Sequence, residues 1–382
     1  MEKLKKLLAL LLALCLVFSL TACEKDQGDD RDEDDEQMEN RDDEGGEEEE
    51  PTVPARDYPA ENMLKYDDYN WSDDTPLYSN ADYIRGDIVT ITFLDTLADM
   101  PEDAWDVSAA GDGKVMAWVV DGCHLYIAGE GGVTANPDCG QMFMRYYNLT
   151  EINFNDCFYT DEVTDMMGMF SECERLTSLD LRFFNTSKVR QMACMFQYCE
   201  SLTELNLSSF DTSNVTDMQC MFYHCTKITE LDLSNFDTSN VMDMYQMFCG
   251  CYKLEKLDIS SFDTSKNTSF METFHSCYAL KELDLSHFDT SNVDDMAGMF
   301  NRCHSLTTLD ISGFDTSNVT RFNYMFCQCE SLTSVDLSSF DFGCATTARA
   351  MFQDSTVSDI GCTLTLPEDC DTEKIYENCP ME

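Results

Sequence analysis

The chain has 382 residues, 24 Lys and Arg against 73 Asp and Glu, a formal net charge of −49 at pH 7, and 20 cysteines. Such an acid excess argues against nucleic acid as a partner, because binding phosphate backbones needs basic stripes. It also sets direct adhesion to anionic lipid or wall polymer against charge repulsion unless cations bridge the two.

Lys3, Lys5 and Lys6 precede an apolar run over residues 7–20, and Leu20-Thr21-Ala22-Cys23 follows at once. A charged segment, an apolar segment and small residues in that order read as an export signal, and the run is too short to cross a bilayer. The last four residues resemble the lipobox of bacterial lipoproteins. That resemblance implies removal of residues 1–22, lipidation of Cys23, and a chain held at the outer face of the cell membrane by its lipid. The alternative is an ordinary secretory signal with an unmodified cysteine, and the chain is exported on either reading.

Residues 24–50 are almost wholly acidic and contribute about −14 of the net charge, with Lys25, Arg31 and Arg41 as the only cations. A segment so poor in apolar side chains cannot offset the entropy of ordering its backbone. Residues 23–56 therefore read as a disordered stalk reaching up to about 100 Å by self-repulsion. It is either a plain spacer or a polyanion that condenses cations.

Over residues 57–141 the pattern is β-rich. Ile88-Val89-Thr90-Ile91-Thr92-Phe93, Val115-Met116-Ala117-Trp118-Val119 and Leu125-Tyr126-Ile127-Ala128-Gly129 read as strands between Gly- and Asp-rich turns. The segment is expected to cap the end of the repeat array that follows, since stacked repeats expose apolar surface at their ends.

From residue 142 to 357 a 26-residue unit recurs, its opening aromatic at Phe158, Phe184, Phe210, Phe236, Phe262, Phe288, Phe314 and Phe340. So short a unit cannot bury its own apolar face, so copies must stack and each motif position becomes a column. In the copy that starts at Phe210, Leu231-Asp232-Leu233 reads as a strand with Asp232 facing out. Met218, Met221, Phe222 and Cys225 follow an i, i+3, i+4, i+7 spacing that predicts a short helix. Asp211-Thr212-Ser213-Asn214 is turn chemistry. The fold class expected from these elements is α/β: a leucine-rich-repeat-type solenoid with one short strand and a short helix or turn per rung. Residues 358–382 are expected to form a second cap.

The segments Phe210-Asp211-Thr212-Ser213-Asn214-Val215, Met221-Phe222, Cys225 and Leu231-Asp232-Leu233 resemble the BspA-like leucine-rich-repeat surface proteins, in the branch with a Mycoplasma-type lipoprotein repeat. The stretch from Ile91 to Ser108 is similar to the cap of such proteins. The resemblance implies cell-surface adhesion or protein binding, and it brings no catalytic motif. Asn267, Phe270 and Thr273 depart from the pattern and leave the loop of one copy open.

Cys173, Cys199, Cys225, Cys251, Cys277, Cys303 and Cys329 fall in one column. In an exported chain many cysteines suggest disulfides, but the same thiol on every rung reads better as a ladder of small buried side chains, which requires a reducing habitat. Cys194, Cys220, Cys249, Cys327 and Cys344 lie outside the column and are expected to be more exposed. Cys249 and His275 share a position on adjacent rungs, too few ligands for zinc. His224, His287 and His304 read as surface residues.

Asp180, Asp232, Asp258, Asp284, Asp310 and Asp336 form a column on the outer side of the strands, and Asp211, Asp237, Asp263, Asp289 and Asp315 a second one in the turns. The strand column is either a row of solvated carboxylates or an acidic face that recruits Ca²⁺ or basic ligands. No nucleophile elbow, phosphate loop or zinc-protease motif occurs, and repeated aspartates lack the unequal environments that separate an acid from a base. The sequence thus points to a monomeric, non-enzymatic module without cofactor that recognises extracellular or host-surface proteins or glycans through its strand face. The alternative is a structural or cation-responsive surface component. Tyr198, Tyr223, Tyr245, Tyr252 and Tyr278 are candidate anchors or packing residues.

Overall fold

The computed structural model describes residues 58–66, 76–78, 80–363 and 365–377. The export signal, Cys23, the acidic stalk and Cys379 lie outside these residues.

The N-terminal part is built on short strands. A small antiparallel pair, β1 (Pro76–Leu77) and β2 (Asn80–Ile84), leads through one 3₁₀ turn (Arg85–Asp87) into β3 (Thr90–Leu94). Next come β4 (Trp105–Asp106), β5 (Val115–Val120), β6 (His124–Gly129) and β7 (Val133–Thr134). The three strands expected from sequence fall on β3, β5 and β6. β8 (Glu151–Asn153) completes a five-stranded sheet in the order β4-β5-β6-β3-β8, antiparallel at β4-β5 and β5-β6 and parallel at β6-β3 and β3-β8. Ile91, Phe93, Val115, Ala117, Leu125 and Ile127 fill its inner face. β9 (Phe158–Tyr159) pairs in parallel with β7.

The 26-residue copies then stack in strict register. β10 (Glu230–Asp232) pairs in parallel with β11 (Lys256–Asp258), and β12 (Glu282–Asp284) with β13 (Thr308–Asp310), residue against residue at an offset of one copy. A second row of parallel bridges joins Asp165 to Gln191 and Gln191 to Asp217, and further along Ser269, Asp295, Arg321 and Thr347. Residues 371–377 add a last turn, with Phe352 N–H donating to the Ile375 carbonyl at 2.9 Å.

The helix expected in each copy does not form, and the α/β leucine-rich-repeat-type fold class is corrected accordingly. Among the described residues there is no α-helix; each copy is a run of turns with at most a three-residue strand. The hydrogen bonds give the reason. Met221, Tyr223 and Cys225 donate to carbonyls three residues back, at 3.1–3.2 Å, whereas Cys220, Phe222 and His224 donate to Tyr245, Met247 and Cys249 of the next copy at 2.8–2.9 Å. An α-helix sends every amide to the residue four back; here alternate amides leave the copy altogether. Cys220 (φ 54°) and His224 (φ 57°) are left-handed, as are their counterparts in other copies. Two such residues per copy end any right-handed helix. The apolar spacing that mimics a helix is produced by consecutive tight turns.

Each column fills one part of the interior. Phe143, Phe170, Phe196, Phe222, Phe248, Phe274, Phe300, Phe326, Phe352 and Tyr376 form one continuous ring stack, with centroids 5.4–5.9 Å apart and planes within 15°. Thr212, part of the segment expected to supply turn chemistry, is buried, as are its counterparts Thr160, Thr186, Thr238, Thr264, Thr290 and Thr316. Each donates its hydroxyl to a carbonyl of the next copy, as Thr212 does to Asp237 at 3.0 Å. The copy with departures keeps register: Phe270 and Asn267 are fully buried, and Thr273 Oγ1 donates to the Met244 carbonyl at 3.2 Å.

Candidate ligand-binding face

The outward row of the strands is set by two-residue alternation: Leu231 and Leu283 point into the core while Glu230, Asp232, Glu282 and Asp284 face solvent. The parallel register places Asp232 beside Asp258 and Asp284 beside Asp310. Asp180 and Asp336 extend the column at either end, and all six carboxylates are exposed. Asn206 interrupts the charge at one copy. Lys256 sits within this acidic surface and bonds Glu230 at 2.5 Å.

These carboxylates are also bound to their own chain. Asp232 Oδ1 accepts from the Ser234 amide at 3.0 Å and its hydroxyl at 2.6 Å, and Asp258, Asp284 and Asp310 repeat the arrangement with Ser260, Ser286 and Ser312. Asp180 is held instead by Arg182, Nε to Oδ1 at 2.9 Å and Nη2 to Oδ2 at 2.7 Å. Hydrogen bonds to the charged form favour ionisation. The Ser260 hydroxyl and amide lower the Asp258 carboxyl below its ordinary value, and the Arg182 guanidinium does the same for Asp180. The Ser286 amide and hydroxyl lower Asp284, and the serines two residues on, hydroxyl first, lower Asp310 and Asp336. The face is thus a row of oriented carboxylates, and those of Asp232, Asp258, Asp284 and Asp310 bind their turns through Oδ1.

The cysteine column lies on the inside. Cys173, Cys199, Cys225, Cys251, Cys277, Cys303 and Cys329 are all fully buried free thiols. Each Sγ donates to the carbonyl of a stacked phenylalanine in the preceding copy at 3.1–3.3 Å. Burial pushes Cys199, Cys251 and Cys303 up to about 12. Cys194, Cys220, Cys249 and Cys327 are buried as well, contrary to expectation: Cys194 and Cys220 donate their amides to the next copy and Cys249 and Cys327 accept amides from the preceding one, which holds all four between copies; Cys344 is exposed.

The sequence reading missed a third acidic column. Asp165, Asp217 and Asp295 sit on the bridge row and Asp243 at the equivalent place in its copy, and each Oδ1 accepts the amide two residues on at 2.8–3.0 Å. Burial pushes Asp165 and Asp243 up to about 6 and raises Asp217 and Asp295, the last in spite of a 2.6 Å ion pair with Arg321. Their place just after the turn motif and directly before a methionine was the available signal.

Of the candidate aromatic anchors, Tyr223 and Tyr245 are buried, whereas Tyr198, Tyr252 and Tyr278 are half-buried on one shoulder. Tyr252, Tyr278 and His304 stack in parallel with centroids 4.8 and 4.7 Å apart. His224, expected at the surface, is half-buried: it packs among Tyr198, Tyr223 and Tyr252, and burial lowers its pKa to about 4. Among the described residues no three His, Cys, Asp or Glu side chains converge as a metal site.

Near the sheet end of the face a cavity of about 420 Å³ opens between the loop after β8 and the loop that carries Asp180, with Asn153, Asp156, Phe183 and Asp180 on its walls.

The model of the family described as "Mycoplasma protein of unknown function, DUF285" matches residues 137–255, 203–283, 223–309 and 268–362, which together run without a gap through more than half of the chain. The chain belongs to this family. The Mycoplasma-type repeat read from the sequence is borne out by that match. A solved structure of a leucine-rich cell surface protein from Faecalibacterium prausnitzii is similar at 16% identity, over 70% of this chain and 78% of that chain, with a TM-score of 0.35. No curated protein matches.

Proposed function

We propose that the protein is an exported, lipid-anchored surface module that recognises extracellular or host-surface proteins or glycans through the strand face of its stacked copies, without turnover and as a monomer. The observation that carries this reading is the parallel register of Asp232 with Asp258 and of Asp284 with Asp310, which repeats one oriented carboxylate along an exposed surface. A ligand with basic or hydroxyl groups at matching spacing would gain contacts additively, copy by copy. The sequence Leu20-Thr21-Ala22-Cys23 supports the anchor, and the acidic segment after it supports display away from the membrane.

The test is binding of the full chain to a panel of extracellular-matrix proteins and surface glycans, with and without Ca²⁺. Saturable, salt-sensitive binding that is lost when Asp232, Asp258 and Asp284 become Asn supports the reading. Absence of binding across the panel overturns it in favour of a structural component, for which the turn bonds of the same aspartates speak. In that case thermal protection by Ca²⁺ alone would identify the face as cation-responsive.

A further inference from the structure

The copies are uniform except at one place. Every later copy has four steps from its strand aspartate or asparagine to the next opening phenylalanine, as from Asp232 to Phe236, but Asn153 stands five steps before Phe158. The extra residue lies in a loop where Asn155 (φ 49°) and Asp156 (φ 54°) are both left-handed. In the next copy, where the others carry serine two residues after the strand aspartate or asparagine, this chain has Arg182, and Phe183 follows it. The cavity of about 420 Å³ lies between these two departures.

Its chemistry is mixed in a definite way. The floor is apolar: Ile152, Phe154, Phe158 and Phe184 are all at most 8% exposed. The rim is polar, with Asn153, Asn155, Asp156 and Asp180. Asn155 donates Nδ2 to the Phe93 carbonyl at 2.9 Å, which fixes that side chain and leaves Oδ1 as an acceptor. Asp180 is fixed by its two bonds to Arg182, whose guanidinium lies 5.4 Å over the Phe183 ring.

We infer that this cavity is a binding subsite for one neutral sugar ring of a glycan, an inference that rests on the proposed recognition role and names a ligand class for one end of the same face. The volume is that of a small-ligand pocket. Carboxylates and amides fixed at a rim accept and donate to vicinal hydroxyls, while the C–H face of a sugar ring packs on the half-buried Phe183 ring of the wall. Charge selects against the alternatives. Asp156 and the acidic surface around it repel an anion, and Arg182, bonded to both oxygens of Asp180, removes that carboxylate as a partner for a cation.

The experiment uses the full chain with methyl glycosides of glucose, galactose, mannose and N-acetylglucosamine, and with N-acetyl-lysine methylamide as a cationic probe, followed by saturation-transfer NMR and calorimetry. The expected result is millimolar binding of at least one glycoside, weakened about tenfold or more by Asn153→Ala and by Asp156→Gly at unchanged melting temperature, and unaffected by Glu368→Gln at the far end of the chain. Because Asp156 is exposed and glycine tolerates its left-handed φ of 54°, that variant keeps the fold even if Asn153→Ala does not. Binding of the lysine probe alone, binding of no probe, or glycoside binding indifferent to both pocket variants overturns the subsite. If Asp232, Asp258 and Asp284 substitutions abolish binding to a macromolecular ligand while no glycoside binds, the subsite has failed and the recognition role stands. Glycoside binding lost in the pocket variants, with no macromolecule bound by the face, leaves the subsite intact and removes the wider role.

Discussion

Cys225 Sγ donates to the Phe196 carbonyl of the preceding copy at 3.2 Å, so a thiol and an aromatic rung are joined by one bond that six further copies repeat. A thiol so placed is neither exposed nor ionised at neutral pH, and only the thiolate reacts. In the native protein the thiol reagent DTNB is expected to modify Cys344 and Cys362, which are exposed, and to leave the column untouched. Column thiols should appear only at the rate of unfolding, which stopped-exchange mass spectrometry would follow. Rapid labelling of Cys225 in the native state would contradict the burial.

The ring stack makes its central members the most sensitive apolar positions. Phe222 is fully buried between Phe196 and Phe248, each 5.7 Å away. Phe222→Ala should lower unfolding free energy by about 3–5 kcal/mol, through lost transfer energy and the cavity left behind. Tyr376→Ala, at the end of the stack and only partly buried, should cause less than half of that. Denaturant titrations of the two variants decide it.

The left-handed positions invert the usual rule for glycine. Ala350 has φ 53°, so Ala350→Gly is expected to be neutral or stabilising, although the same change inside a regular element costs about 0.5–1 kcal/mol. Gly250 has φ 76°, and a Cβ there would lie 2.6 Å from the His224 ring. Gly250→Ala should therefore destabilise by about 1–2 kcal/mol, by the strain of the left-handed conformation together with displacement of His224. Thermal melts of both variants test the sign.

Two carboxylate columns give opposite pH dependences. Asp165 and Asp243 have folded values raised to about 6 by burial, so the folded state binds protons that the unfolded chain releases. Their contribution is full below pH 4 and is lost as pH rises through 6. Asp180, Asp258, Asp284, Asp310 and Asp336 are lowered, so theirs is present above pH 4 and lost as pH falls further. The melting temperature should peak between pH 4 and 6. Asp165→Asn with Asp243→Asn should flatten the fall between pH 5 and 7 and leave the acid side unchanged.

On the strand face, charge and turn geometry separate. Asp258→Asn keeps the acceptor for the Ser260 amide and hydroxyl and should change stability by less than about 0.5 kcal/mol. Asp258→Ala removes the acceptor and should cost about 0.5–1.5 kcal/mol. Equal melting curves would show that the turn bond contributes nothing.

Much of this architecture was written in columns that the sequence displays openly. The one-copy offset, the outward Asp232 and inward Leu231, and strands β3, β5 and β6 follow from periodicity two and the repeat length. The turn run did not, because Met218, Met221, Phe222 and Cys225 obey helical spacing while Cys220 and His224 occupy a left-handed conformation uncommon for residues other than glycine. Only Gly168, Gly250 and Gly298 in equivalent positions hinted at it. The buried column of Asp165 and Asp243 was hidden among many acids of the same composition. The cavity beside Asp180 depends on one extra residue near Asn155, which regular counting from Phe158 onward passes over.

The threonine ladder has a consequence for the length of the protein. Thr212 bonds the Asp237 carbonyl and Thr238 bonds that of Asp263, each to the equivalent atom one unit along. Excising residues 212–237 would leave Thr186 on the Asp211 carbonyl and put Thr238, with its bond to Asp263, where Thr212 had been, and a duplication of the same length would extend the ladder likewise. A gene encoding this chain can therefore lengthen or shorten by whole multiples of 78 nucleotides through unequal crossing-over and still yield a folded product, with its reach adjusted in fixed increments.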